Sequence, residues 1–185
     1  MRLAAGRWRP FLEQLHRYVP EVAEFVSPDD AVDCMDEWTP GRMYASLSQP
    51  FMRAAMDGNQ EWLRRLLAFV EVTAAAYELL PEEDDNDLLE LGTFCGAGFL
   101  CDLTADRSAL TQALPLLGPR SVKSAQAGVV IHSRVIEYWG GRDIDWTSAT
   151  SQYVPLKLDP LEVLPIDRRT SAHTKLPHDG ESLAP

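Results

Sequence analysis

The stretch NQEWLRRLLAFVEVTAAAYELL, residues 59–80, decides the fold. Trp62, Leu66, Phe69, Val70, Thr73, Tyr77 and Leu80 recur at three- and four-residue intervals, so they form one continuous stripe on a helix. Glu61, Arg64, Arg65, Glu71 and Glu78 fall largely off that stripe. Glu71 and Glu78, seven apart, read as ordinary surface carboxylates. Downstream, after an acidic turn from Pro81 to Asp87, Leu88 to Leu103 is apolar on almost every side, as a helix surrounded by other helices must be. It reads as the central element.

Outward from this pair the pattern stays helical. Trp8, Phe11, Leu12, Leu15 and Val19 give a short amphipathic helix with Pro10 in its first turn. Ser27-Pro28-Asp29-Asp30 supplies cap and turn residues for a piece reaching Trp38, which Thr39-Pro40-Gly41 breaks. Residues 42–57 read as helix that Pro50 should kink or divide. Arg107 to Leu117 is a short helix stopped by Gly118-Pro119, and Ser121 to Trp139 carries Val122, Ala125, Val129, His132, Ile136 and Trp139 at helical spacing before Gly140-Gly141.

Beyond Trp146 the periodicity fades. Val154 to Ile166 alternates apolar residues with polar ones or proline, suited to an extended arm across the domain, and disorder is expected from about Ser171. The expected organisation is all-α: a single bundle of six to seven helices in residues 1–146, with an extended arm and partly disordered tail in 147–185. At 185 residues and 45% hydrophobic content, one sizeable core is affordable and two are not.

Charge is the most informative feature of the composition. The net charge is −11, yet residues 21–106 hold 19 acidic against four basic side chains, and everything outside them is net positive. Such a field repels phosphate backbones and anionic lipid and steers a basic protein into contact. A basic protein is therefore the expected partner, with no nucleic acid and no membrane; oligomeric state is not indicated. The first twenty residues scatter arginines among aromatics, unlike a signal sequence, and the chain reads as cytoplasmic. Three cysteines without a C-x-x-C pair speak against a disulfide framework or zinc site, and 14 arginines against three lysines suit a GC-rich bacterial genome.

Two acidic clusters are the candidate partner-binding residues. Asp29, Asp30, Asp33, Asp36 and Glu37 end beside Trp38, which reads either as an aromatic anchor bordered by carboxylates or, the preferred reading, as a buried tryptophan beside a solvated acidic face. Glu82, Glu83, Asp84, Asp85 and Asp87 precede Leu88, where one or two would stabilise a helix N-terminus and the rest are surplus. No calcium loop fits the run, because the required glycine and distal glutamate are missing.

Leu88 to Leu100 (LLELGTFCGAGFL) resembles the first motif of S-adenosylmethionine-dependent methyltransferases, a strand ending in an acid and a glycine-rich loop. That resemblance implies Glu90, Gly92, Gly96 and Gly98 as cofactor contacts. Helix-packing glycines, with Gly92 and Gly96 four apart, explain the same residues and are the preferred reading. Histidines 16, 132, 173 and 178 form no H-E-x-x-H motif, and no G-x-S-x-G or P-loop is present. No catalytic residue, cofactor or metal is expected.

Phe11-Leu12-Glu13-Gln14-Leu15 leading to Pro20-Glu21, then Trp62 to Glu71, Asn86-Asp87-Leu88-Leu89 and Leu116-Leu117-Gly118-Pro119 appear in an order that resembles an uncharacterised bacterial family of all-helical domains, over about residues 10–120. Such proteins are similar in size and charge to immunity proteins, which neutralise a toxin by occupying its active surface. The resemblance implies an antitoxin-like, non-catalytic binding protein. A methyltransferase and a helical adaptor without inhibitory role are the alternatives.

Overall fold

The computed structural model describes residues 6–26, 38–81, 85–135, 144–165 and 168. Among these the chain is all-α: α1 (Arg9–Tyr18), α2 (Pro40–Asp57), α3 (Gln60–Tyr77), α4 (Asp85–Gly92), a π-helical segment (Thr93–Leu100), α5 (Cys101–Ala105), α6 (Arg107–Ala113) and α7 (Pro119–Val135), joined by short 3-10 turns. The expected helical piece leading up to Trp38, and residues beyond 168, lie outside the described residues.

Local chemistry sets the helix ends. The Thr39 hydroxyl accepts the Arg42 N–H, Pro40 pre-sets the first turn, and Gly58 closes α2 at φ 71°, a left-handed conformation that suits glycine. Thr39-Pro40-Gly41, expected as a break, thus starts a helix. Pro50 does not divide α2, which runs unbroken through it. With no N–H, Pro50 leaves the Ser46 carbonyl without its helical donor, and Ser46 lines a groove described below. The Asp106 carboxylate caps α6 through the Ala109 N–H at 2.9 Å.

The stretch from Asp85 to Ala105 is the centre, but it is not one regular helix. Its π segment packs against α2, α3, α4, α5 and α7. Phe94 and Phe99 are fully buried and meet edge-to-face at 5.0 Å. Five positions apart, they would point ~140° away from each other on an α-helix; the wider π turn brings them to one face. Phe11 and Phe69 complete the contact from α1 and α3, and Phe51 from α2. Each such ring contributes about 1.5–3 kcal/mol by burial. Asn86–Ala105 is long and apolar enough by composition to cross a membrane, yet here Leu91, Phe94, Phe99 and Leu103 are wholly enclosed by protein.

Two of the three glycines pack closely, as expected, and the third does not. A Cβ on Gly98 would lie 2.2 Å from the Thr93 carbonyl and 2.7 Å from the Tyr44 ring, on Gly92 it would press on the Tyr77 ring at 3.3 Å, and on Gly96 it would meet nothing. Gly98 also departs from helical geometry, at φ −89°, ψ −105°.

The arm after residue 144 belongs to the core. Leu158, Val163 and Leu164 are buried, and the 3-10 turn Pro160–Val163 rests on α1 and α3. Thr150 and Gln152 donate N–H bonds to the Leu114 and Pro115 carbonyls. Arg168 reaches Asp87, fastening the arm to α4.

Candidate functional site

Most of the described acids in the negative stretch have internal work. Glu71, at 4% exposure, is buried rather than a surface carboxylate. It accepts the Arg120 N–H at 2.9 Å, the Ser121 N–H at 2.9 Å and the Ser121 hydroxyl at 2.8 Å. A side chain from α3 therefore caps the positive end of α7. Gly118 makes room for it, since a Cβ there would sit 2.4 Å from the Glu71 carboxyl carbon. The Arg120 guanidinium donates to Glu78 at 2.9 Å, and that bond, then the charges of Glu78 and Glu71, raise its pKa.

The pattern repeats along the stretch. Glu90 accepts the Gly41 N–H in the first turn of α2 at 2.9 Å. Asp102 accepts the Tyr44 and Ser48 hydroxyls at 3.0 and 2.6 Å. Glu61 pairs with Arg64 and Arg65, and Glu21 with Arg65.

Asp87 corrects the expectation of an exposed partner contact. It is 1% exposed and held by Arg7 at 2.7 Å and Arg168 at 3.3 Å, tying both ends of the described chain to α4. A buried carboxylate with two guanidiniums is a structural clamp, closed to a partner. Glu82, Glu83 and Asp84 lie outside the described residues, as do Asp29, Asp30, Asp33, Asp36 and Glu37; Asp85 opens α4, and its side chain is likewise outside. Trp38 is half-buried against the core with the Arg42 guanidinium 5.8 Å over its ring, so it anchors its own chain at least in part.

Two acids of residues 21–106 remain. Among the described side chains, Glu24 and Asp57 alone make no hydrogen bond or ion pair, and both line one groove of about 880 Å³ between the 3-10 turn Pro20–Glu24, α2 and the start of α3. Asp57 is the last residue of α2, where the helix dipole opposes an anion by about 0.3–1 kcal/mol. Phe25 and Trp62 also line the groove, their rings 6.0 Å apart at 36°. Trp62 is 6% exposed, while Phe25 is 39% exposed. With Glu21 at the edge, three carboxylates face one guanidinium, Arg53. Acidic acceptors and a half-exposed aromatic face together suit a guanidinium or ammonium group.

Sequence reasoning missed this groove because Glu24, Asp57, Phe25 and Trp62 are scattered over 39 positions. The misplaced acid at the end of α2 was the available signal.

Other chemistry is sparse. His16 is half-buried, and burial lowers its pKa against the opposing effect of a backbone bond at Val26. Burial pushes the Cys95 thiol up to about 12, which keeps it protonated and unreactive. No group of three or more His, Cys, Asp or Glu side chains converges for a metal among the described residues. The glycine-rich stretch is helical instead of strand and loop, and Glu90 already serves α2, so the arrangement the methyltransferase resemblance implied is not formed. No protein-family model, curated protein or solved structure matches this chain.

Proposed function

We propose that this is a non-catalytic binding protein that receives a lysine- or arginine-bearing segment of a basic protein, in the manner of an immunity protein occluding a toxin. One observation supports the reading above others. In an acidic stretch whose remaining described carboxylates are committed to caps and ion pairs, Glu24 and Asp57 are uncommitted and line the same aromatic-floored groove. Asp57 is destabilising where it stands, which is expected of a residue kept for recognition.

The mechanism is steric and electrostatic. Carboxylates steer the partner and pair with its cations at the rim, and the Phe25–Trp62 floor receives an aliphatic stem or a guanidinium face. The acidic cluster Asp29 to Glu37 begins four residues after Phe25 in sequence and extends the anionic segment.

The test is calorimetric titration with an arginine-rich basic peptide at low and at high salt. The Glu24→Lys/Asp57→Lys pair should weaken binding ~5- to 30-fold, on the scale of partly exposed ion pairs replaced by repulsion. Affinity indifferent to salt and to charge reversal, both in the groove and at Asp29, Asp30, Asp33, Asp36 and Glu37, would remove the proposal.

A further inference from the structure

A second groove, of about 740 Å³, lies between the C-terminal half of α3, the junction of α4 with the π segment and the first turns of α7, and shares no residue with the acidic one. Its chemistry is the reverse. Tyr77, 40% exposed, and Leu89, 66% exposed, leave apolar surface in water at its edge.

Its floor is open at Gly96. A Cβ there meets nothing within 4 Å, in contrast to the crowded Gly98. Glycine within a helix is destabilising relative to alanine, and no close approach of protein atoms offsets that here. The missing side chain keeps the groove empty instead.

One end carries charge. Arg120 is already bound to Glu78 and Glu71, but Lys123 pairs with no carboxylate among the described residues. Counting Glu71 and Glu78 against Arg120 and Lys123 the end is neutral, and Lys123 is its one charge left uncommitted among the described side chains. A concave, mainly apolar space of this volume with a few charged groups at one end is the usual form of a small-molecule site. Cys95 also lines it with its thiol protonated, so the floor offers no nucleophile.

The geometry points to a binding site for an amphipathic monoanion, an aliphatic chain ending in a carboxylate: the chain along Tyr77, Leu89 and Gly96, the carboxylate at Lys123. A single cation suits a single carboxylate, and charge complementarity selects this occupant over a neutral or cationic lipid.

The test is calorimetry with sodium dodecanoate below its aggregation threshold, with dodecanol and dodecyltrimethylammonium as comparisons. Saturable one-to-one binding of dodecanoate is expected. Gly96→Phe, whose Cβ has open space around it, should weaken it at least tenfold while leaving the melting temperature near that of the unaltered protein. Lys123→Glu should weaken the carboxylate several-fold and leave dodecanol unchanged. The inference is overturned by absence of saturable binding, by equal affinity in Gly96→Phe, or by a carboxylate preference that survives Lys123→Glu. It is equally overturned if sedimentation shows self-association that Gly96→Phe abolishes, because a second copy of the chain would then occupy the groove.

Discussion

Replacing Glu71 with glutamine should destabilise the protein far more than its shape-conserving nature suggests. Its two oxygens receive three donors: the Arg120 N–H on one, and the Ser121 N–H and hydroxyl on the other. The glutamine amide has one oxygen. However it is turned, its NH₂ faces a backbone N–H across a former 2.9 Å hydrogen bond, at a residue 4% exposed. The Ser121 hydroxyl can rotate to accept; the backbone N–H cannot. A buried donor left unpaired costs about 1–3 kcal/mol, and lowers the melting temperature of a domain this size by about 2–4 °C per kcal/mol. Glu78→Gln is the control: it breaks an ion pair to the same Arg120, but Glu78 is 58% exposed and the loss should stay under about 1 kcal/mol. Urea unfolding measures both, and amide exchange at Arg120 and Ser121 locates the damage. Gly118→Ala should also destabilise, because its Cβ would strike the Glu71 carboxyl, and its cost should shrink in a Glu71→Ala background, as contacting residues are non-additive. If Glu71→Gln matched Glu78→Gln within about 0.5 kcal/mol and exchange at Ser121 were unchanged, the capping argument would be wrong.

Other consequences can be checked as directly. Gly98→Ala should cost more than about 2 kcal/mol or prevent folding, since backbone and ring atoms crowd its Cβ, whereas Gly96→Ala should be neutral or stabilising by up to about 1 kcal/mol; thermal melts separate the two. Because burial lowers the pKa of His16, the unfolded chain binds the proton more readily, and stability should fall as pH drops below 6.5, levelling off below the folded-state value. The difference in stability between wild type and His16→Phe, followed from neutral to mildly acid pH, should show that slope, and equal pH dependence of the two proteins would refute it. Cys95, 6% exposed and with its thiol pushed up to about 12, should resist alkylation at mildly alkaline pH in the folded protein and react once urea unfolds it, which peptide mass mapping resolves.

The bundle was legible in the sequence where one face of a helix does one job. The helix itself and the apolar stripe from Trp62 to Thr73 can be read from spacing, although α3 is buried on every side from Leu66 to Thr73 and Tyr77 is 40% exposed. Three features could not, each for a physical reason. Pro50 reads as a break, yet α2 tolerates it at the edge of a groove, which Ser46, the residue whose carbonyl loses its donor, also lines. The π turn depends on Gly98 fitting against Tyr44, a contact 54 residues away. Glu71 looks like a surface acid because its partners, the N–H groups of Arg120 and Ser121, carry no signature in composition. The acidic charge itself was visible, but its division into internal caps and uncommitted carboxylates required knowing which backbone amides lie nearby. Asp87 shows the hazard: counted with a solvated cluster, it is the best-enclosed ion-pair partner described.

The most direct test of the proposed binding is a nitrogen-labelled spectrum of the protein titrated with an arginine-rich basic peptide. Binding in the groove should move the resonances of Glu21 to Phe25, Gln49 to Asp57 and the Trp62 indole together at low salt, and the movement should vanish in Glu24→Lys/Asp57→Lys. Shifts that bypass this groove, or that persist unchanged in the doubly reversed variant, would contradict it.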